Sequence, residues 1–197
     1  MAEKLWVEQF IKEIEKEITQ ITENLREAES YEAARAAFVQ MDTVSKHVET
    51  QSALAYIRHS IDTRDAFYDR EKRFWNAARP QLEEHVQVFN EALLESRYRA
   101  QLAEEFGEVV FINLGLAHRS FKPEMIPYMQ QENDLVQEYD KLIASAQIPF
   151  EGGVYTIAQM TPFKTDPDDA RRLAAWKAEG AWYKEHQAEL DSIYDKL

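Results

Sequence analysis

The five histidines, His47, His59, His85, His118 and His186, are where metal or proton-transfer chemistry would be expected in this sequence. Two histidines four residues apart share one helix face and can hold a zinc ion, with a glutamate between them as base. No pair here has that spacing, and neither His-Glu-x-x-His nor the Glu-x-x-His of di-iron bundles occurs. A Gly-rich phosphate loop and a Gly-x-Ser-x-Gly elbow are also absent. There is no cysteine, which removes thiolate nucleophiles and disulfides. Asp166, Asp168 and Asp169 have a superficial likeness to a calcium loop. The glycine and the closing glutamate of such a loop are missing, so helix capping explains them better.

Arg58-His59-Ser60-Ile61-Asp62 is the densest polar cluster. A functional reading makes His59 and Asp62 a hydrogen-bonded pair one turn apart. The structural reading, which is preferred, is a helix end capped by Asp62, with His59 tied to a backbone group or a carboxylate. Phe67, Tyr68, Phe74 and Trp75 could line a peptide groove, but their helical spacing assigns them to a core. Trp176 and Trp182 fall on the last helix and would be exposed if nothing packs on it. No catalytic or metal-binding residue is assigned in this chain, and no substrate contact.

The elements that would position these groups are almost all helical. Val7, Ile11, Ile14, Ile18, Ile21 and Leu25 form an apolar seam at three- and four-residue steps. Its expected partner is an antiparallel helix of the same chain; a coiled-coil assembly module is a weaker option, because the seam is short. Ser30 is the expected N-cap of a helix from Tyr31 to about Ile61. Asp62 or Thr63 should cap a third helix, which Pro80 should kink or break near Arg79. Ser96 is expected to cap a shorter helix ending at Gly107. The segment from Glu108 to Ser120 is apolar all round, which predicts a buried helix. Pro123 should open the next helix, to about Ala146. Ile148-Pro149-Phe150-Glu151-Gly152-Gly153-Val154-Tyr155-Thr156 reads as a hairpin. Thr156-x-x-Gln159 has the capping-box pattern, and Asp166 should cap one last long helix. The fold class is therefore all-α: a multi-helix antiparallel array with one small β-hairpin near residues 148–156, read as a single unit over 1–197.

At 197 residues and 45% hydrophobic content, the chain can bury a sizeable core. Five glycines and six prolines leave room for few loops. A net charge of −13 disfavours nucleic acid and anionic membrane surfaces as partners. No signal-like core opens the sequence and no apolar run is long enough to span a bilayer. The missing cysteines fit a cytoplasmic setting.

Two blocks carry a resemblance. Leu54-Ala55-Tyr56-Ile57-Arg58-His59-Ser60-Ile61-Asp62-Thr63-Arg64-Asp65-Ala66-Phe67-Tyr68 is one. The other is Leu142-Ile143-Ala144-Ser145-Ala146-Gln147-Ile148-Pro149-Phe150-Glu151-Gly152, followed by Tyr155-Thr156-Ile157-Ala158-Gln159-Met160 and by Asp168, Ala170, Arg171, Arg172 and Ala174. In order and spacing they resemble the N-terminal region of the oligoendopeptidase F family of thimet-oligopeptidase-like zinc metallopeptidases. The resemblance covers residues 30–197 and is silent on 1–29. It implies a cytoplasmic peptidase that cleaves short peptides in a deep helical cleft. It also implies zinc held by His-Glu-x-x-His and a downstream glutamate, the motif glutamate activating water. None of those residues lies in this chain. The resemblance thus makes the chain a cleft-wall portion, inactive by itself, whose partners are the catalytic domain and oligopeptide substrates. The alternative is a stand-alone helical protein that binds a peptide or protein partner without catalysis.

Overall fold

The computed structural model describes residues 2–197, with side chains from Gln9 onward; Val7, the first member of the predicted seam, lies outside the described side chains. The chain forms two compact units, one running to Gln130 and one from Gln131 to Leu197. The architecture is all-α with one two-stranded antiparallel sheet.

The first unit holds α1 (Ala2–Arg26), α2 (Tyr31–Ile61), α3 (Ala66–Leu94), α4 (Arg99–Phe106) and α5 (Glu108–Ser120). A 3-10 turn over Pro123–Met125 then leads into α6 (Ile126–Ala144), which crosses into the second unit. The α1 seam is buried through Ile11, Ile14, Ile18, Ile21 and Leu25, and α1 packs on both α2 and α3. The partner of the seam is thus within the chain, as its length suggests. Each such aliphatic side chain contributes about 1.5–3 kcal/mol when fully buried. Ser30 caps α2, its hydroxyl accepting from the Ala33 N–H at 3.2 Å.

Four local expectations in this unit are corrected. The N-cap of α3 is Asp65, not Asp62 or Thr63; its carboxylate accepts from the N–H groups of Phe67 and Tyr68. Of the kink or break expected near Arg79, the break does not occur, since α3 runs continuously through Pro80. Proline removes the N–H that would bond the Asn76 carbonyl, and the Gln130 side chain donates to the next carbonyl, that of Ala77, at 2.9 Å. Ser96 precedes α4 rather than capping it, accepting from the Tyr98 N–H. Finally, α5 is not a buried helix: Phe111 is its one buried residue, while Val109, Ile112 and Leu116 face outward.

The second unit contains the rest of α6, β1 (Ile148–Phe150), β2 (Gly153–Tyr155), a 3-10 turn at Ala158–Met160, α7 (Thr161–Lys164), α8 (Asp169–Glu185) and α9 (Gln187–Tyr194). Pairing runs Ile148 to Tyr155, Pro149 to Val154 and Phe150 to Gly153. The two loop residues, Glu151 and Gly152, both have positive φ, 46° and 81°. That is the signature of the hairpin turn whose twist matches its strands. The capping box forms as expected: the Thr156 N–H donates to Gln159 Oε1, and the Gln159 N–H to Thr156 Oγ1. The last helix is capped by Asp168 rather than Asp166, and it divides at His186 into α8 and α9. The core of this unit is Ala146, Ile148, Phe150, Met160, Ala175 and Trp182.

Candidate functional site

Both sequence blocks become polar clusters anchored on helix ends. At the joint of α2 and α3, Arg58 Nη1 donates to Glu71 Oε1 at 2.7 Å. His59 is 1% exposed, and its Nε2 lies 3.7 Å from Asp69 Oδ1. Arg73 Nε donates to the other oxygen of Asp69 at 3.0 Å. The carboxylate placed beside His59 is therefore Asp69 on α3. Asp62 instead closes α2, its backbone N–H donating to Arg58 O and its side chain accepting from the Arg64 N–H. The structural reading of this cluster holds. Its charges cross-link two helices, and Glu71 Oε2 is buried with no hydrogen-bond partner. Of the four nearby aromatics, Phe74 and Trp75 are core, whereas Phe67 is exposed with its ring beside that of Tyr68.

The second block is pinned by Arg171. Its guanidinium donates to both Glu151 oxygens, at 2.8 and 2.7 Å, and to Asp166 Oδ2 at 2.7 Å. Two parallel N–H···O bonds to one carboxylate fix geometry as well as charge. Hydrogen bonding from Arg171 holds the Glu151 carboxyl below the usual range. The Asp168 backbone N–H does the same for Asp166, helped by Arg171. The Arg171 guanidinium is pushed up in turn by Glu151 and Asp166. Arg172 pairs with Asp169 and donates to the Asp166 carbonyl at 2.6 Å. The aspartates are thus used in capping and ion pairing.

Deeper in the second unit, Lys164 Nζ donates to Glu179 Oε1 at 2.8 Å and lies 2.6 Å from Oε2, with both side chains largely buried. The Trp176 ring covers the ammonium at 4.7 Å yet is itself 55% exposed. Burial, reinforced by Glu179, raises the Tyr183 phenol above its ordinary value. The two tryptophans therefore part company: Trp176 is exposed, while Trp182 is buried and stacked on His186 with centroids 4.2 Å apart.

The remaining histidines do not converge. His47 is exposed, His85 Nε2 lies 3.4 Å from Glu15 Oε1, and His118 Nδ1 is buried without a partner. Among the described residues, no three His, Cys, Asp or Glu side chains are placed to hold a metal ion. No described helix is long and apolar enough to cross a membrane. A recess of about 400 Å³ beside the C-terminal ends of α1 and α3 is lined by Arg26, Ala28, Ser96 and Arg97, among others. Arg97 is already engaged there, donating to the Ala28 carbonyl at 2.6 Å. What the clusters do chemically is hold helices and a hairpin in place.

Residues 8–121, more than half of the chain, match the model of the Peptidase M3 N-terminal domain. The match takes in most of α1, on which the sequence resemblance was silent. Among solved structures, one assigned as oligoendopeptidase F is 34% identical, with a TM-score of 0.91, covering 95% of this chain and 33% of that one. PZ peptidase A with an inhibitor is 33% identical, with a TM-score of 0.90, covering 95% of this chain and 33% of that one. A protein from Bacillus anthracis str. Ames, assigned as oligoendopeptidase F, is 31% identical with a TM-score of 0.91, covering 95% of this chain and 34% of that one. The chain therefore spans about a third of the length of these structures. No curated protein sequence matches it.

Proposed function

Since this chain belongs to the peptidase M3 family as its N-terminal domain, we propose that it is the non-catalytic third of a zinc-dependent oligopeptidase. In this reading it forms part of the wall of a cleft that admits short peptides and excludes folded proteins. The supporting observation is the extent of the likeness: 95% of this chain superimposes on one third of the oligoendopeptidase F structure.

The residues present do not fit the zinc ion that the family implies. The described side chains offer no convergent ligand set, and the sequence has no His-Glu-x-x-His. We therefore assign the metal, the water it activates and the general base to the two thirds of length that the relatives carry beyond this region. The substrate class is oligopeptides, and the setting we assign is cytoplasmic, which a cysteine-free chain accommodates.

The test is the reading frame together with an activity assay. The frame should continue past Leu197 into a His-Glu-x-x-His helix. The longer polypeptide should cleave oligopeptides in a chelator-sensitive way, while the purified 197-residue chain should cleave none with or without zinc. A stop codon directly after Leu197 would overturn this reading in favour of a stand-alone helical binding protein. Zinc-dependent peptidase activity of the 197-residue chain would overturn the claim that it is inactive alone.

A further inference from the structure

The stretch from α5 to the start of α6 is apolar where solvent should make it polar. Val109, Ile112 and Leu116 recur at three- and four-residue steps along one face of α5, and they are 68%, 52% and 50% exposed. Met125 and Tyr128 follow within a dozen residues and are exposed as well. From 109 to 130 the only fully buried residue is Phe111. A surface helix normally turns one apolar stripe inward and a polar face outward. Here Phe111 supplies the inward contact, close to Phe38, and the outward face carries the aliphatic triplet Val109, Ile112 and Leu116 beside exposed Asn113 and Ser120. An exposed apolar stripe such as that of Val109, Ile112 and Leu116 marks an interaction surface.

We propose that this face, α5 with the entry to α6, is the seat on which the remaining two thirds of the peptidase chain packs. The proposal rests on the reading of the chain as the N-terminal third of an M3 peptidase. Three observations choose that occupant. The solved relatives are about three times as long as the region this chain matches, so a large partner within the same polypeptide is at hand. The stripe on α5 is purely aliphatic, and a helix has spent its backbone donors and acceptors internally. It therefore lacks the main-chain hydrogen bonds by which extended peptides are recognised. A second copy of this chain would bring another net charge of −13 against the first, which opposes self-association. Permanent interfaces are the more hydrophobic ones, and an aliphatic stripe has that character.

The absence of cysteine makes the test direct. Ile112→Cys places a single thiol on the stripe at a position half exposed, where the smaller side chain leaves the core untouched. Its maleimide-labelling rate is measured in the 197-residue chain and in the longer polypeptide, each normalised to its rate in denaturant. Labelling at least about tenfold slower in the longer polypeptide supports the proposal. Equal labelling in a longer polypeptide that is active as a peptidase overturns the proposal and leaves the functional reading standing. A frame with no catalytic segment overturns both. Protection of the short chain by excess oligopeptide, or by raising its own concentration, would name a peptide or a second copy as occupant instead, and also overturns the proposal. Leu116→Cys, one turn along the same face, repeats the measurement should Ile112→Cys fail to fold.

Discussion

In the unit ending at Gln130, a large apolar interior encloses scattered buried polar groups such as His59, Asn76 and Asn90, and aromatic rings pack within it. Phe111 sits beside Phe38, and Phe10 meets Phe74 and Trp75 edge-on at 5.4 and 5.5 Å. In the unit from Gln131 onward, the middle of α8 contributes a buried glutamate, Glu179, paired with Lys164 under the Trp176 ring. The difference follows from size. Long helices such as α1, α2 and α3 offer each other many turns of aliphatic seam. A hairpin with short helices buries only a handful of large side chains, and fewer buried groups mean less apolar stabilisation. Polar pins at Arg171, Asp166 and Lys164 then carry more of the burden of holding one arrangement.

The largest effect should come from the apolar side of this contrast. Phe111→Ala removes a nearly fully buried ring from the first unit and should cost about 3–5 kcal/mol. Urea denaturation followed at the helical signal measures it. A loss no larger than that of an exposed substitution would show that the first unit does not depend on its interior as described.

Glu179→Leu tests the polar side. It strands the Lys164 ammonium under Trp176, and an uncompensated buried charge costs about 3 kcal/mol or more. The double variant Lys164→Met with Glu179→Leu should recover most of that loss, because a buried pair is often replaceable by packed apolar groups. If the single variant is nearly neutral, the ion pair does not hold the second unit and the contrast collapses. A smaller loss, about 1 kcal/mol, is expected for Asp168→Ala, which removes the side-chain cap of α8. Thermal unfolding reads both.

These particular residues also show where sequence reading succeeds. The Ser30 cap, the Thr156–Gln159 box and the hairpin are local patterns whose partners lie within a few residues, and each appears where expected, as does the α1 seam from Ile11 to Leu25. Failures arise where the deciding partner is distant. Pro80 should kink or break α3, but the helix continues, packed on α1 and α2, whose residues are distant in sequence. The carboxylate expected beside His59 is Asp69 on the next helix, a partner the local sequence does not name. Runs of aspartate hide the true cap, since Asp62 and Asp65, or Asp166 and Asp168, are chemically equal and only backbone geometry separates them. Helix α5 is the instructive miss. An apolar helix looks the same in sequence whether its own unit covers it or another segment does.

The smallest expected effect, and the one that sharpens the contrast most finely, is on pH dependence. In the second unit, Glu151 and Asp166 both have folded pKa values below their ordinary values of 4.5 and 3.8. The unfolded chain then binds protons more readily than the folded one, so stability rises with pH through this range. The contribution is complete above pH about 4.5 and is lost as pH falls through the lowered values. The first unit has a different pattern at its exposed Tyr31–Glu105–Arg35 cluster. Glu105 is lowered by the hydrogen bond from Tyr31 and then by Arg35, so it too is lost in acid. Tyr31 is raised, chiefly by that same hydrogen bond to Glu105. Its contribution is complete below pH 10 and fades as pH rises toward the higher folded value. Arg171→Gln should therefore flatten the acid limb of the stability profile and leave the alkaline limb alone, whereas Tyr31→Phe should alter both limbs. Because all these groups are exposed, solvent screens them and the slopes will be shallow. Salt should shrink them further, and an acid limb unchanged by Arg171→Gln would show that the guanidinium is not what pins the hairpin turn to α8.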